Sequence, residues 1–236
     1  NSNHFLTPKI LFRYAPGHMR KENDGPKLNH LNIFSLDRLS TYNNFESGAS
    51  TTIGFDYQIS DNSKEFDLTL GQVINSEENK DMPSSSSLDE KLSDLVGHSN
   101  FKFNDKFSLN YDFALDQNYK DLNYNEFGAS FSYETIKASF NYLQEKKHIG
   151  DQEYYKTKID FFNNNNSVLS FQNKKNLVTN SSEYYDLSYE YLNDCLRAGI
   201  VYRREFYNDS EIESENSLMF KITISPFGDI NSPSFN

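Results

Sequence analysis

The sequence predicts an all-β protein, an antiparallel up-and-down transmembrane β-barrel portion of about 12 strands. Three features predict it. Apolar residues fall at every second position, the segments they mark run near ten residues, and the connections between segments alternate long and short.

The alternation is plainest in Phe107, Leu109, Tyr111, Phe113 and Leu115, with Ser108, Asn110, Asp112 and Ala114 between them. It recurs in Ile53-Phe55-Tyr57-Ile59, Phe127-Ala129-Phe131-Tyr133, Ala138-Phe140-Tyr142 and Tyr185-Leu187-Tyr189-Tyr191, then in Leu196-Ala198-Ile200-Tyr202 and Leu218-Phe220-Ile222-Ile224. A helix would need residues three and four apart to share polarity, and here they do not. Each segment is a strand with one apolar and one polar face.

The strands fall roughly at 7–14, 49–59, 65–75, 95–104, 106–116, 123–134, 136–145, 151–162, 166–173, 182–193, 195–207 and 215–225. Ten tilted residues rise roughly 25 Å, the height of the apolar band of an outer-membrane barrel. Strands of soluble sandwiches are usually shorter, about five or six residues. Residues 15–48, 76–94, 117–122, 146–150, 174–181 and 208–214 are the longer connections. Between them lie 60–64, Asn104-Asp105, Glu134-Thr135, Asn163 to Asn165 and a hinge at Asp194. Such parity belongs to barrels with short turns on the periplasmic side and longer loops outside; a Greek-key sandwich does not keep it.

Composition agrees. The chain carries 20 Phe and 16 Tyr but only 36% hydrophobic residues. Lipid-facing bands end in aromatic girdles, whereas soluble barrels and sandwiches turn Val, Ile and Leu inward. A net charge of -11 argues against nucleic-acid binding. The single cysteine, Cys195, forbids an internal disulfide framework. The five histidines, His4, His18, His30, His98 and His148, are scattered with no HExxH spacing. With no GxSxG elbow, Walker A loop or GxGxxG either, the expectation is no enzyme, no metal and no cofactor.

Four segments, in order, resemble the C-terminal barrel of the LptD family, the lipopolysaccharide-assembly (organic solvent tolerance) proteins of Gram-negative outer membranes. Leu6-Thr7-Pro8-Lys9-Ile10 resembles the family's LTP-x-I/L strand opening. Asn32 to Asn43 is similar to its N-x-F-x-x-x-R-F/Y-S-G-x-D loop, with Thr41 where Gly is usual and Asn43 where Asp is usual. Leu70-Gly71-Gln72, Pro83 and Ser93-Asp94-Leu95-Val96-Gly97 resemble its GQ, P and SD-x-VG course. Tyr191-Leu192-Asn193-Asp194-Cys195 looks like its Y-x-N/D-x-C signature, followed by Arg203-Arg204 and an apolar strand.

The resemblance implies that residues 1–236 are the C-terminal part of an outer-membrane barrel about twice this size, with the signal peptide, periplasmic domain and first strands outside the chain. It implies a transport protein that inserts lipopolysaccharide into the outer leaflet through a polar lumen. The last strand, with Leu218, Met219, Phe220, Lys221, Ile222, Thr223 and Ile224, would form one side of a lateral gate. The implied partners are lipopolysaccharide, an LptE-like plug lipoprotein inside the barrel, and a periplasmic LptA-like bridge reached through the absent N-terminal domain. Cys195, on a minimal turn, would bond to a cysteine of that domain; the alternative is a free thiol at the rim. Leu196 stands where some members carry a second, adjacent cysteine.

Lys156, Lys158, Arg197, Arg203 and Lys221 fall on polar faces beside Asp160, Asp186, Glu190 and Glu205. They either meet the phosphates of a passing glycolipid or pair with acids on neighbouring strands. Acidic loop residues (Glu77, Glu78, Asp81, Asp89 and Glu90, then Asp209, Glu211, Glu213 and Glu215) either bind divalent cations or are simply solvated. The general alternatives are an outer-membrane porin, which would fold a constriction loop inward, and a soluble β-sandwich module.

Overall fold

The computed structural model describes residues 2–39, 41–61, 63–147, 150–163, 166–193, 195–206, 215–224 and 228–231, the last group by backbone alone. Asp194, His148, Pro226 and the acids at 209, 211 and 213 lie outside these residues. The strands are β1 (Asn3–Ala15), β2 (Gly48–Asp61), β3 (Lys64–Asn75), β4 (Leu95–Asn104), β5 (Phe107–Leu115), β6 (Leu122–Tyr133) and β7 (Ile136–Glu145). After them come β8 (Gln152–Asn163), β9 (Ser167–Asn176), β10 (Ser181–Leu192), β11 (Leu196–Glu205), β12 (Asn216–Ile224) and β13 (Gly228–Asn231). One 3-10 turn, Ser84–Ser86, lies in the β3–β4 connection.

All strands form one sheet whose spatial order is their chain order, the up-and-down topology that the alternation predicts. The twelve predicted strands are all present. One correction concerns the end of the sheet. Residues 215–225 are not its last strand, because Lys221–Ile224 of β12 pair with the short β13. The sequence conceals β13 because four residues are too few to display a period.

The tight turns are built by local chemistry. Asn104 Oδ1 accepts from the backbone N–H of Lys106 at 2.8 Å and of Phe107 at 3.0 Å, an Asx-type turn closing the β4–β5 hairpin. A register shift between Lys102 and Asn104 accompanies it. Glu134, between β6 and β7, takes a φ of 46°, the left-handed value that tight hairpins use.

The chain divides into two compact units. The first holds residues 1–127 and 143–152. Its core is Met19, Leu28, Ile33 and Leu39 from the β1–β2 connection, Met82 and Leu88 from the β3–β4 connection, and Val73, Val96, Ala114 and Tyr124 from β3 to β6. The connections lie against the polar face of the strands. Gly54 and Gly71 pair in register, and a Cβ on Gly71 would come within 2.9 Å of Ile33 Cδ1. The missing side chains are what let the loop approach. Ile33 is fully buried, which contributes about 2 kcal/mol relative to an exposed position. The apolar strand face points the other way: Ile10, Phe12, Tyr14 and Ile53 are exposed.

The second unit holds residues 128–142 and 153–236. No buried apolar side chain occurs among its described residues; Gly128, Ser167 and Asp186 are the buried ones. Leu187, Tyr189, Tyr191, Ile200, Tyr202, Phe220 and Ile222 all lie exposed on one face. Neighbouring rings there pack on one another, as Phe171 on Tyr185 with centroids 6.2 Å apart.

Candidate functional site

In the first unit the polar face forms rungs across the strands. Lys9, Gly54, Gly71, Val96 and Ala114 make one; Thr7, Asp56, Thr69, His98 and Asp112 make the next. The β1–β2 connection is pinned to this face by a buried ionic cluster. Arg38 is 2% exposed and donates from Nε to Glu46 Oε2 at 2.8 Å, with a second bond from Nη2 to Glu46 Oε1. Its remaining N–H groups reach Ser50 Oγ at 3.1 Å and Thr52 Oγ1 at 3.4 Å on β2. Arg13 of β1 lies 3.3 Å from the same Glu46 and donates to Leu36 O at 2.7 Å. A buried carboxylate is tolerable only with such partners. Arg38 and Asn32 are motif residues of the loop that carries the resemblance, and both serve packing: Asn32 donates to Lys27 O at 2.8 Å and accepts from Asn29 N–H at 2.8 Å.

The next segment behaves alike. Gln72 donates to Ser93 O at 2.9 Å, Ser93 Oγ accepts from Val73 N–H at 2.9 Å, and Asp94 accepts from Asn123 at 2.9 Å. Lys147 stands 3.8 Å from Asp94. Burial pushes the Asp94 carboxyl above the ordinary aspartate range, opposed by Asn123 and Lys147. Burial likewise pulls the Lys27 ammonium down. Glu90 is raised by burial; of the other predicted loop acids, Glu77, Glu78 and Asp81 line a cavity of about 370 Å³ with Glu46 and His18.

The structure also unites residues that the sequence leaves scattered. His30 of the connection stacks on His98 of β4, centroids 4.1 Å apart, and both face Asp112 of β5. His98 and Asp112 are paired in register across the β4–β5 hairpin, so that half of the cluster follows from strand register. Nothing in the spacing points to His30, which arrives by the fold of the loop. Burial and the neighbouring His98 lower the His30 pKa, with Asp112 opposing.

In the second unit, three of the five predicted cations have acidic partners. Arg203 makes a bidentate pair with Asp186 at 2.7 and 2.8 Å, Arg197 Nε donates to Glu190 at 2.6 Å, and Lys158 meets Asp160 at 2.9 Å. Lys156 stands opposite Lys174, whose own partner is Glu183 at 2.7 Å. Lys221 stands opposite Gly199 and is exposed. On β12, Leu218, Phe220, Ile222 and Ile224 share the exposed apolar face, while Met219, Lys221 and Thr223 take the alternate one. Cys195 is an exposed free thiol in the β10–β11 turn.

No curated protein sequence matches the chain significantly. Among solved structures, a mutant of the Rh. blastica porin is 9% identical, covering 97% of this chain and 93% of that one with a TM-score of 0.46. Salmonella typhi OmpF in complex with daunomycin is 10% identical, covering 94% and 85%, with a TM-score of 0.37. The model of the LptD family, LPS transport system D, matches residues 1–177. That match spans three of the four resembling segments and most of the chain, so the protein belongs to the LptD family of outer-membrane transport proteins.

Proposed function

We propose that this chain inserts lipopolysaccharide into the outer leaflet of the outer membrane, as the C-terminal part of a larger barrel. The observation that carries the reading is the family match; the two-faced strands support it. Sugars and phosphates would travel along the polar faces, where Lys156 and Lys221 offer cations without a close acidic partner among the described residues. Acyl chains would leave beside β12, whose pairing with β13 covers Lys221–Ile224 among the described residues, its first half being paired there with β11. Strand ends with few ladder bonds open most readily. The edge of β1 opposite β2 has no partner strand among the described residues, which supports pairing with strands of a larger barrel. Cys195, exposed and in a short turn, is suited to a disulfide with a periplasmic domain, with an LptE-like plug and an LptA-like bridge as partners.

A second reading has its own support. The β1–β2 connection packs on the polar face, which is what a diffusion channel with a constriction loop would show. One experiment separates the two. A photo-crosslinker at Met219 or Lys221, in cells carrying the complete protein, should yield a lipopolysaccharide adduct that Ile222 on the opposite face does not. A correctly inserted protein without adducts at either polar-face position would sink the lipid path and favour the channel.

A further inference from the structure

Three donor groups from three different parts of the first unit converge at His30, His98 and Asp112. His98 Nδ1 lies 2.8 Å from Asp112 Oδ1. His30 Nδ1 lies 3.0 Å from the same oxygen, yet it is buried and makes no hydrogen bond of acceptable geometry among the described residues. All three donor atoms lie within 4.8 Å of one another. Ligands of one zinc ion stand about 3 Å apart, given bond lengths near 2.0–2.2 Å to imidazole nitrogen and carboxylate oxygen. Cross-strand register alone accounts for the His98–Asp112 contact. It does not account for a second imidazole stacked on the first with its Nδ1 turned to the same oxygen and unsatisfied, an arrangement a shared cation would relieve.

We propose that His30, His98 and Asp112 bind a divalent first-row transition metal, zinc in the first instance, and that the metal clips the β1–β2 connection to β4 and β5. Two imidazoles and one carboxylate suit zinc or its neighbours better than calcium or magnesium, which take oxygen ligands. A cavity of about 210 Å³ lined by Lys27, His30, Asp112, Tyr124 and Glu126 adjoins the cluster. It leaves room for one or two waters to complete the coordination. The role would be structural: the loop would be tied to the wall by metal at His30 and by salt bridge at Arg38, independently of whether lipopolysaccharide is the cargo.

The test uses the full chain, purified in detergent from outer membranes, stripped with a chelator and titrated with Zn²⁺ against a chromophoric competitor. One zinc per chain is expected. Asp112→Asn and His98→Gln should each weaken binding at least tenfold, and His30→Ala at least tenfold, while His18→Ala in the same loop leaves it unchanged. Co²⁺ added to the unmodified protein should give visible absorption bands of a site with imidazole ligands, a readout that needs no variant to fold. Binding no tighter than that of Ca²⁺, absence of cobalt bands, or zinc affinity lost on His18→Ala and kept on His30→Ala would each overturn the proposal. So would a loop whose resistance to trypsin at Arg20 and Lys21 changes with pH but not with added zinc.

Discussion

The two units are made of the same kind of strand and are stabilised differently. In residues 1–127 and 143–152, the polar strand face is covered by two long connections, and a core of apolar side chains, Ile33, Leu88, Val73 and Val96 among them, is buried there. In residues 128–142 and 153–236 no connection between strands is longer than residues 206–215, and among the described residues only Gly128, Ser167 and Asp186 are buried. The lesson is that alternation by itself produces a two-faced sheet and no core. A core needs a second layer, and here only connections long enough to return along the strands supply one.

The largest difference should come from the ion pairs. Arg38→Met would leave Glu46 buried with Arg13 as its remaining cation, at a cost of about 3–5 kcal/mol. The matching change Arg203→Met, at a pair whose guanidinium is about a third exposed although Asp186 is buried, should cost less, about 1–3 kcal/mol. Urea unfolding of the protein in lipid vesicles measures both; equal losses would erase the distinction between the units. Next come the glycines. Gly71→Ala sets a Cβ against a docked Ile33, and the displaced loop should cost about 1–3 kcal/mol. Gly199→Ala meets Glu190 Cγ at 2.9 Å, with the Tyr189 carbonyl oxygen at an ordinary 3.4 Å, and should cost about 0.5 kcal/mol or less on the surface-substitution scale.

The pH dependence sharpens the same contrast. Asp94 has a raised folded pKa, so the folded state holds its proton more tightly than the unfolded chain. Its contribution is therefore most favourable at acid pH and is lost as pH rises from the ordinary aspartate value through the folded one. Asp94→Asn should remove that fall and keep one hydrogen bond to Asn123; the slope of the unfolding midpoint between pH 4 and 7 checks it. Smallest of all, Lys156→Gln should alter stability by less than about 0.5 kcal/mol, since it faces Lys174 rather than an acid. A larger loss would reveal an ionic partner on the polar face of the second unit.

The family motifs take on physical meaning in this contrast. Arg38, Gln72, Ser93 and Asp94 are motif residues that each fasten a connection to a strand in the structure, while Asn32 closes the β1–β2 connection on itself at Lys27. The cysteine signature lies in the other unit, where Leu192 N–H donates to Asn166 O at 2.7 Å and Cys195 presents an exposed thiol.

The strands, their faces and their up-and-down order were legible in the residues alone, because a period of two and a parity of connection lengths are local properties. Several of the twelve shared strands shift by only one or two residues, as 65–75 against Lys64–Asn75, and β4 and β7 fall where predicted. The cation–acid choice was legible only as a pair of alternatives, since Arg203 and Asp186 meet through a register that a one-residue slip would have broken. What the tertiary structure alone decided is the content of the polar face. Glu46 gives no sign in sequence of being buried between Arg13 and Arg38, and His30 gives none of lying on His98. Long-range contacts made by irregular connections follow no period, so local pattern determined the sheet while the paths of residues 16–47 and 76–94 determined its core, and the former its histidine cluster.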